Sequence, residues 1–181
     1  MTAIATWTAT PDVTGRAEPP RNCALCPRLV EYRQDNQAEH PGWFNGPAPS
    51  FGDPNARLLI VGLAPGRTGA NRTGRPFTGD HAGILLYGTL IKLGFARGEF
   101  KARPDDGLEL IDCMITNAVR CAPPGNKPLP IEESNCRPFL AARIAALPRL
   151  RAIVTLGDVS RRSVLRALGV PDKKVCGENA R

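Results

Sequence analysis

From residue 57 onward, short apolar runs alternate with segments of helical spacing, and this alternation restricts the fold more than any other property of the chain. The runs RLLIVG (57–62), LIDCMITNAV (110–119) and RAIVTLG (151–157) read as buried strands. Helical spacing follows each of them. It predicts one helix over 82–94, with Ile84, Leu85, Tyr87, Leu90 and Ile91 on its apolar positions and Gly94 as its C′ residue. A second spans 130–147, acidic in its first turn and rich in arginine later, as the helix dipole favours, with Pro138 kinking or dividing it. A third, over 158–169, is opened by Asp158 and closed by Gly169. A β-α-β-α-β-α order implies an α/β domain of three layers, αβα, around a central parallel sheet. At 181 residues one such domain buries a core without disulfide staples. We expect it over 21–181, after a flexible tail at 1–20, with the Gly/Pro/Asn-rich 41–56 as a connection.

The 24 Lys and Arg against 17 Asp and Glu give a net charge of +7, which makes a polyanionic partner plausible without proving one. The first twenty residues carry no basic region followed by an apolar core, and no run approaches the roughly 18–20 apolar residues of a membrane span. A cytoplasmic location, no membrane contact and a monomer are the expectations. In that reducing compartment six cysteines suggest metal binding or burial rather than disulfides. Cys23 and Cys26 form CALC in a polar segment with no evident helix or strand, and Cys121 and Cys136 flank a proline-rich loop. Cys113 sits inside an apolar run as a small core residue, and Cys176 has no obvious role.

Between the first strand and its helix lies GLAPGRTGANRTGRPFTGD (62–80). Its glycines permit positive φ and close approach of a ligand to main-chain N–H groups. Yet no lysine completes a P-loop, and the spacing of Gly62, Gly66, Gly69 and Gly74, interrupted by Pro65 and Pro76, is not a dinucleotide fingerprint. In open parallel sheets ligands bind outside the carboxyl ends of the strands. The 62–80 loop and the segment TNAVRCAPP (116–124) both leave strands there and can meet over one pocket.

A strand ending in GLAPG, then GxNRTGRPFTGD and an apolar helix, then a strand ending in TNAVRCAPP, with CxxC upstream and one more cysteine downstream, resembles the uracil-DNA glycosylase superfamily. The likeness covers roughly residues 20–170 and is closest to the type-b, or family 5, enzymes that carry an iron–sulfur cluster. It implies a pocket for a base flipped out of DNA containing uracil or another deaminated base, and a repair enzyme that hydrolyses the N-glycosidic bond. Phe77 matches the position that stacks on the base, and Asn117 the asparagine that bonds its edge. Leu63 stands where the related family 4 has an acidic residue, and the main chain from Leu63 and Ala64 to Gly66 would face the base. Asp80 matches the catalytic aspartate, whose carboxylate can stabilise an oxocarbenium-like sugar and orient a water. Arg67, Arg72 and Arg75 would neutralise phosphates, and Arg161, Arg162 and Arg166 could extend that basic face.

The resemblance assigns Cys23, Cys26, Cys121 and Cys136 to a [4Fe-4S] cluster, although four thiolates satisfy zinc equally well. Plainer readings stand beside the others. Phe77 could plug the core, Asn117 could serve a turn, Asp80 could cap the 82–94 helix, and each arginine could be solvated or paired. A DNA-binding module without turnover and a zinc-stapled domain with a small-molecule pocket are the other function classes. The family carries a further strand, a histidine-containing loop of the type HxSRxN and a final helix. The only histidines here, His40 and His81, cannot fill that place, so the expectation is a C-terminally shortened member of weak or absent activity.

Overall fold

In the computed structural model the described residues are 16–79 and 81–171. The three sequence-expected strands form at Leu58–Gly62 (β2), Cys113–Asn117 (β5) and Ala152–Thr155 (β6), and they pair in parallel, β2 at the centre. The sheet is not wholly parallel as expected: Phe51–Gly52 (β1) joins the outer side of β5 antiparallel, giving the order β1-β5-β2-β6. Two residues between Ser50 and Asp53 carry no alternation, so no periodic signal marks β1. Ala96–Arg97 (β3) and Glu109–Leu110 (β4) form a separate antiparallel pair, which splits the apolar run 110–119 before β5 begins.

Alternation along β2 sends Leu59 and Val61 to one face and Ile60 to the other. Leu59 and Val61 pack with Met114, with Leu140 of Pro130–Ala145 (α4) and with Val164 of Asp158–Ala167 (α5). Ile60 and Ile115 pack with Tyr87 and Leu90 of His81–Lys92 (α3). Helices thus cover both faces, as the alternation of elements requires. Each fully buried aliphatic side chain contributes about 1.5–3 kcal/mol.

Local chemistry explains the helix ends. Glu132 caps α4 by accepting from the Leu129 N–H at 2.7 Å. Pro138 sits inside α4, which nevertheless runs as one sixteen-residue element rather than two. Asp158 is the first residue of α5 after the N-cap Gly157, and its carboxylate pairs with Arg161 and Arg162. Two helices were not foreseen: Pro27–Glu39 (α1), which buries only Leu29 and Asn36, and the single turn Ala70–Thr73 (α2). Within the expected tail, Glu18 pairs with the buried Arg120 at 2.7 Å and with Arg143 at 2.6 Å. Residues 1–15 of that tail, and Cys176, lie outside the described residues.

Candidate active site

The site forms where β2 and β5 end side by side, with Gly62 directly opposite Asn117 in the parallel register. Beyond the strands the ladder continues for two more bonds, Ala118 N–H to Gly62 O at 2.9 Å and Val119 N–H to Leu63 O at 3.0 Å, so Leu63 and Asn117 are held by the sheet itself. Gly62 has to be glycine: a β-carbon there would stand 2.5 Å from Asn117 Oδ1 and 2.5 Å from Phe77 Cζ. The strand end therefore brings the expected stacking residue and the expected edge-reading residue together over a bare α-carbon. Asn117 is only 3% exposed. Phe77, half-buried, has φ +58°, the left-handed region that bulky residues avoid.

Leu63, Ala64 and Phe77 line one side of an open apolar cavity of about 440 Å³ completed by Ala82, Leu85, Leu86, Thr89 and Leu156. That size suits a small planar ligand. A neighbouring polar groove is lined by Gly66, Arg67, Thr68, Gly69 and Gly79 from the glycine-rich loop and by Pro123, Gly125 and Asn126 from the loop after β5. The two loops thus meet at the carboxyl edge of the sheet. Asp80, the expected catalytic carboxylate, lies outside the described residues.

The three loop arginines have different surroundings. Arg72 is exposed. Arg67 donates to Asn36 Oδ1 at 2.6 Å, pairs with Glu39 and lies 5.7 Å from the Trp43 ring centre. Arg75 does not face solvent: it is 4% exposed and forms a two-pronged pair with Asp106, 2.7 Å on each prong. This burial is at odds with the expected phosphate contact, and its cause is a carboxylate 31 residues away that local sequence could not reveal. On α5, Arg161 and Arg162 are held by Asp158, and Arg166 stands 4.0 Å from Glu133.

Cys23, Cys26, Cys121 and Cys136, all free thiols, line a single cavity whose other walls include Leu25, Leu29, Val30 and Phe139. Each of three sulfurs meets a nitrogen donor: Arg120 N at 3.3 Å from Cys136 Sγ, Asn135 Nδ2 at 3.7 Å from Cys26 Sγ, and Arg33 Nη1 at 3.9 Å from Cys121 Sγ. Burial pushes the Cys121 and Cys136 thiols up to about 12. Among the described residues no three His, Cys, Asp or Glu side chains converge on one point closely enough to hold a single ion. Cys113, buried on β5 away from this cavity, is also pushed up to about 12 by its apolar surroundings, in keeping with a core role.

Sequence reasoning missed a buried asparagine chain that fastens the glycine-rich loop. Asn71 Nδ2 donates to Asn45 Oδ1 at 3.0 Å, and Asn45 Nδ2 to His40 O at 2.8 Å. Through Asn36 and Arg67 the end of α1 grips the same loop, so α1 connects the cysteine cavity at its start to the loop at its end. Pro27 directly after Cys26 was the available signal, since proline favours the first helical position.

Residues 49–178 match the family model of the uracil DNA glycosylase superfamily. The chain is 44% identical over 152 residues to a type-5 uracil-DNA glycosylase of Pyrobaculum aerophilum, covering 82% of this chain and 67% of that protein. The type-5 uracil-DNA glycosylase of Thermus thermophilus is 43% identical over 154 residues, 82% of this chain and 69% of that one. A type-4 uracil-DNA glycosylase of Pyrobaculum aerophilum is more distant, 34% identical over 150 residues, 82% of this chain and 62% of that protein.

Proposed function

Because the chain belongs to the uracil DNA glycosylase superfamily, we propose that it removes uracil, and other deaminated bases of similar shape, from DNA by hydrolysing the N-glycosidic bond. The observation that carries this reading is the meeting of Phe77 and Asn117 over Gly62 at the mouth of an apolar cavity. A base can be cleaved only after it leaves the stack, and an extruded base needs one face to stack on and one edge to be read. The Phe77 ring offers the face. The Asn117 amide offers a donor and an acceptor, which matches the alternating polar edge of a pyrimidine. Leu63 and Ala64 line the same cavity, and their main-chain N–H groups would hold the oxygen of the departing base as it gains negative charge.

Asp80 is the residue we assign to catalysis. A carboxylate there would stabilise positive charge on the sugar and orient the attacking water. Arg72, exposed on the same loop, is the arginine best suited to a phosphate, with Arg67 able to exchange Glu39 for one.

We assign Cys23, Cys26, Cys121 and Cys136 to a [4Fe-4S] cluster. Four thiols around one cavity, three of them facing N–H donors, fit a group that bonds through thiolate sulfur and accepts hydrogen bonds there. Zinc, the alternative, draws four sulfurs to about 2.3 Å of a single centre. The cluster would supply a covalent tie from the start of α1 to the β5–α4 connection at Cys121 and to α4 at Cys136; the base is handled by the chain's own residues. Among the described residues no helix is long and apolar enough to cross a membrane, and a monomer in a reducing cytoplasm is the setting we propose. Incubation with an end-labelled duplex carrying one uracil, followed by alkali, should break the strand at that position; retention of the duplex without breakage would instead favour a binding module.

A further inference from the structure

Arg75, Asp106 and Tyr87 take no part in the chemistry proposed above, yet their side chains form a buried polar group beside the site. The Asp106 side chain is 0% exposed and accepts, besides the two prongs of Arg75, the N–H groups of Lys101 at 2.9 Å and Leu108 at 3.0 Å. The Arg75 guanidinium lies 5.1 to 5.5 Å from the ring centres of Phe51, Tyr87 and Phe100. Tyr87, fully buried and stacked on Phe100 at 4.4 Å, donates its hydroxyl to the carbonyl of Pro76 at 2.7 Å. The carbonyl of Arg75 accepts from Thr78 Oγ1 at 2.9 Å. Two consecutive carbonyls, those of residues 75 and 76, are therefore fixed immediately before Phe77, the residue that turns into the left-handed region.

We propose that the Arg75–Asp106 pair and Tyr87 are positioning residues that hold Phe77 in its left-handed conformation and so set its ring against Gly62 and Asn117. The inference rests on the reading of that pocket as the seat of an extruded base. A phenylalanine adopts positive φ only where its surroundings over-determine it. Here the determination comes from side chains on three separate elements: Asp106 between β3 and β4, Tyr87 on α3, and Arg75 in the loop itself. A rigid, pre-set ring lets the base stack without first ordering the loop, which raises selectivity for a duplex that presents a base over one that does not. It also explains why an arginine in a DNA-facing loop is turned inward. Its charge serves geometry rather than phosphate.

The test compares the parent with Tyr87→Phe and Asp106→Asn, each carrying a fluorinated phenylalanine at position 77. Fluorine NMR of the parent should give one sharp resonance, and Tyr87→Phe, which removes only the hydroxyl, should broaden or split it. Affinity is then measured for a duplex with a non-cleavable fluorinated uridine and for the same duplex with an abasic analogue. Their ratio should fall about fivefold to tenfold in Tyr87→Phe, the worth of one hydrogen bond, with the salt slope of binding unchanged. A fluorine spectrum and a ratio both equal to the parent's overturn the proposal, as does a salt slope that flattens by about one on Arg75→Lys. Should Asp106→Asn fail to fold, Tyr87→Phe decides alone. A parent that binds both duplexes equally refutes the base-pocket reading itself, while the fluorine spectrum still decides whether the clamp sets Phe77.

Discussion

The Phe77 ring lies so close to the α-carbon of Gly62 that a β-carbon added there would fall 2.5 Å from its Cζ, and equally close to Asn117 Oδ1. Gly62→Ala must therefore push the two apart. The expected cost in stability is about 1–3 kcal/mol, that of overpacking a buried position. The expected cost in single-turnover uracil release is larger, on the order of a hundredfold, because a displacement near 1 Å spoils alignment. Thermal melts and excision rates on the same preparation separate the two effects.

Acid should weaken the fold through two paired carboxyls. Hydrogen bonds from Arg75 hold Asp106 well below the usual carboxylate range. Burial would raise Glu18, but the charge of Arg120 and the bonds from Ser50 and Arg143 leave it lowered. A carboxyl acidified by folding contributes stability that is complete above its unfolded pKa, near 4 for these groups by typical values, and is lost as pH falls below it. The melting temperature should stay level from about pH 7 to 5 and fall steeply below about pH 4. Asp106→Asn should lower the stability at neutral pH by about 3–5 kcal/mol, the cost of a buried arginine left unpaired, and make the acid limb of the melting curve shallower.

Protein prepared without oxygen should be brown and hold about four irons per chain. Cys136→Ala and Cys23→Ala should both lose the colour and melt at lower temperature, since the tie from α1 to α4 and to the β5–α4 connection would be lost. Iron and sulfide analysis checks this, and stoichiometric zinc without iron would contradict the cluster assignment.

Asp80→Asn should lower excision by about 10²–10⁴, the range of general acid–base and charge stabilisation by one group, while duplex binding persists. Unchanged turnover would reduce Asp80 to a helix cap. Burst kinetics and a binding isotherm on one oligonucleotide suffice.

The parallel strands and the helices after them were legible because burial on both faces of a sheet and on one face of a helix leaves periodic apolar signals, carried by Leu59, Ile60, Val61, Tyr87 and Leu90; of the apolar positions read in the 82–94 helix, Ile84, Leu85 and Ile91 are instead exposed. Helix α1 was not legible: with only Leu29 and Asn36 buried, it packs through polar contacts such as Arg28 with Glu132 at 2.8 Å. Neither was the antiparallel β1, too short to alternate. In the site, Phe77 and Asn117 could be named because resemblance fixes their positions, and the structure adds why they meet at Gly62. Arg75 was read as a phosphate contact because a charged residue in a loop is normally solvated. Its partner Asp106 is distant in sequence, and only tertiary packing joins them.

The most direct test of the account is the single-turnover release of free uracil from a duplex with one uracil, measured by mass spectrometry for the parent and for Asn117→Ala at a temperature where both are folded. The account predicts stoichiometric uracil and abasic product from the parent, and a rate lower by about a hundredfold or more in the variant, the loss expected when a buried edge-reading hydrogen bond in the transition state is removed. A parent that releases no uracil, or a variant that releases it as fast, would contradict the account.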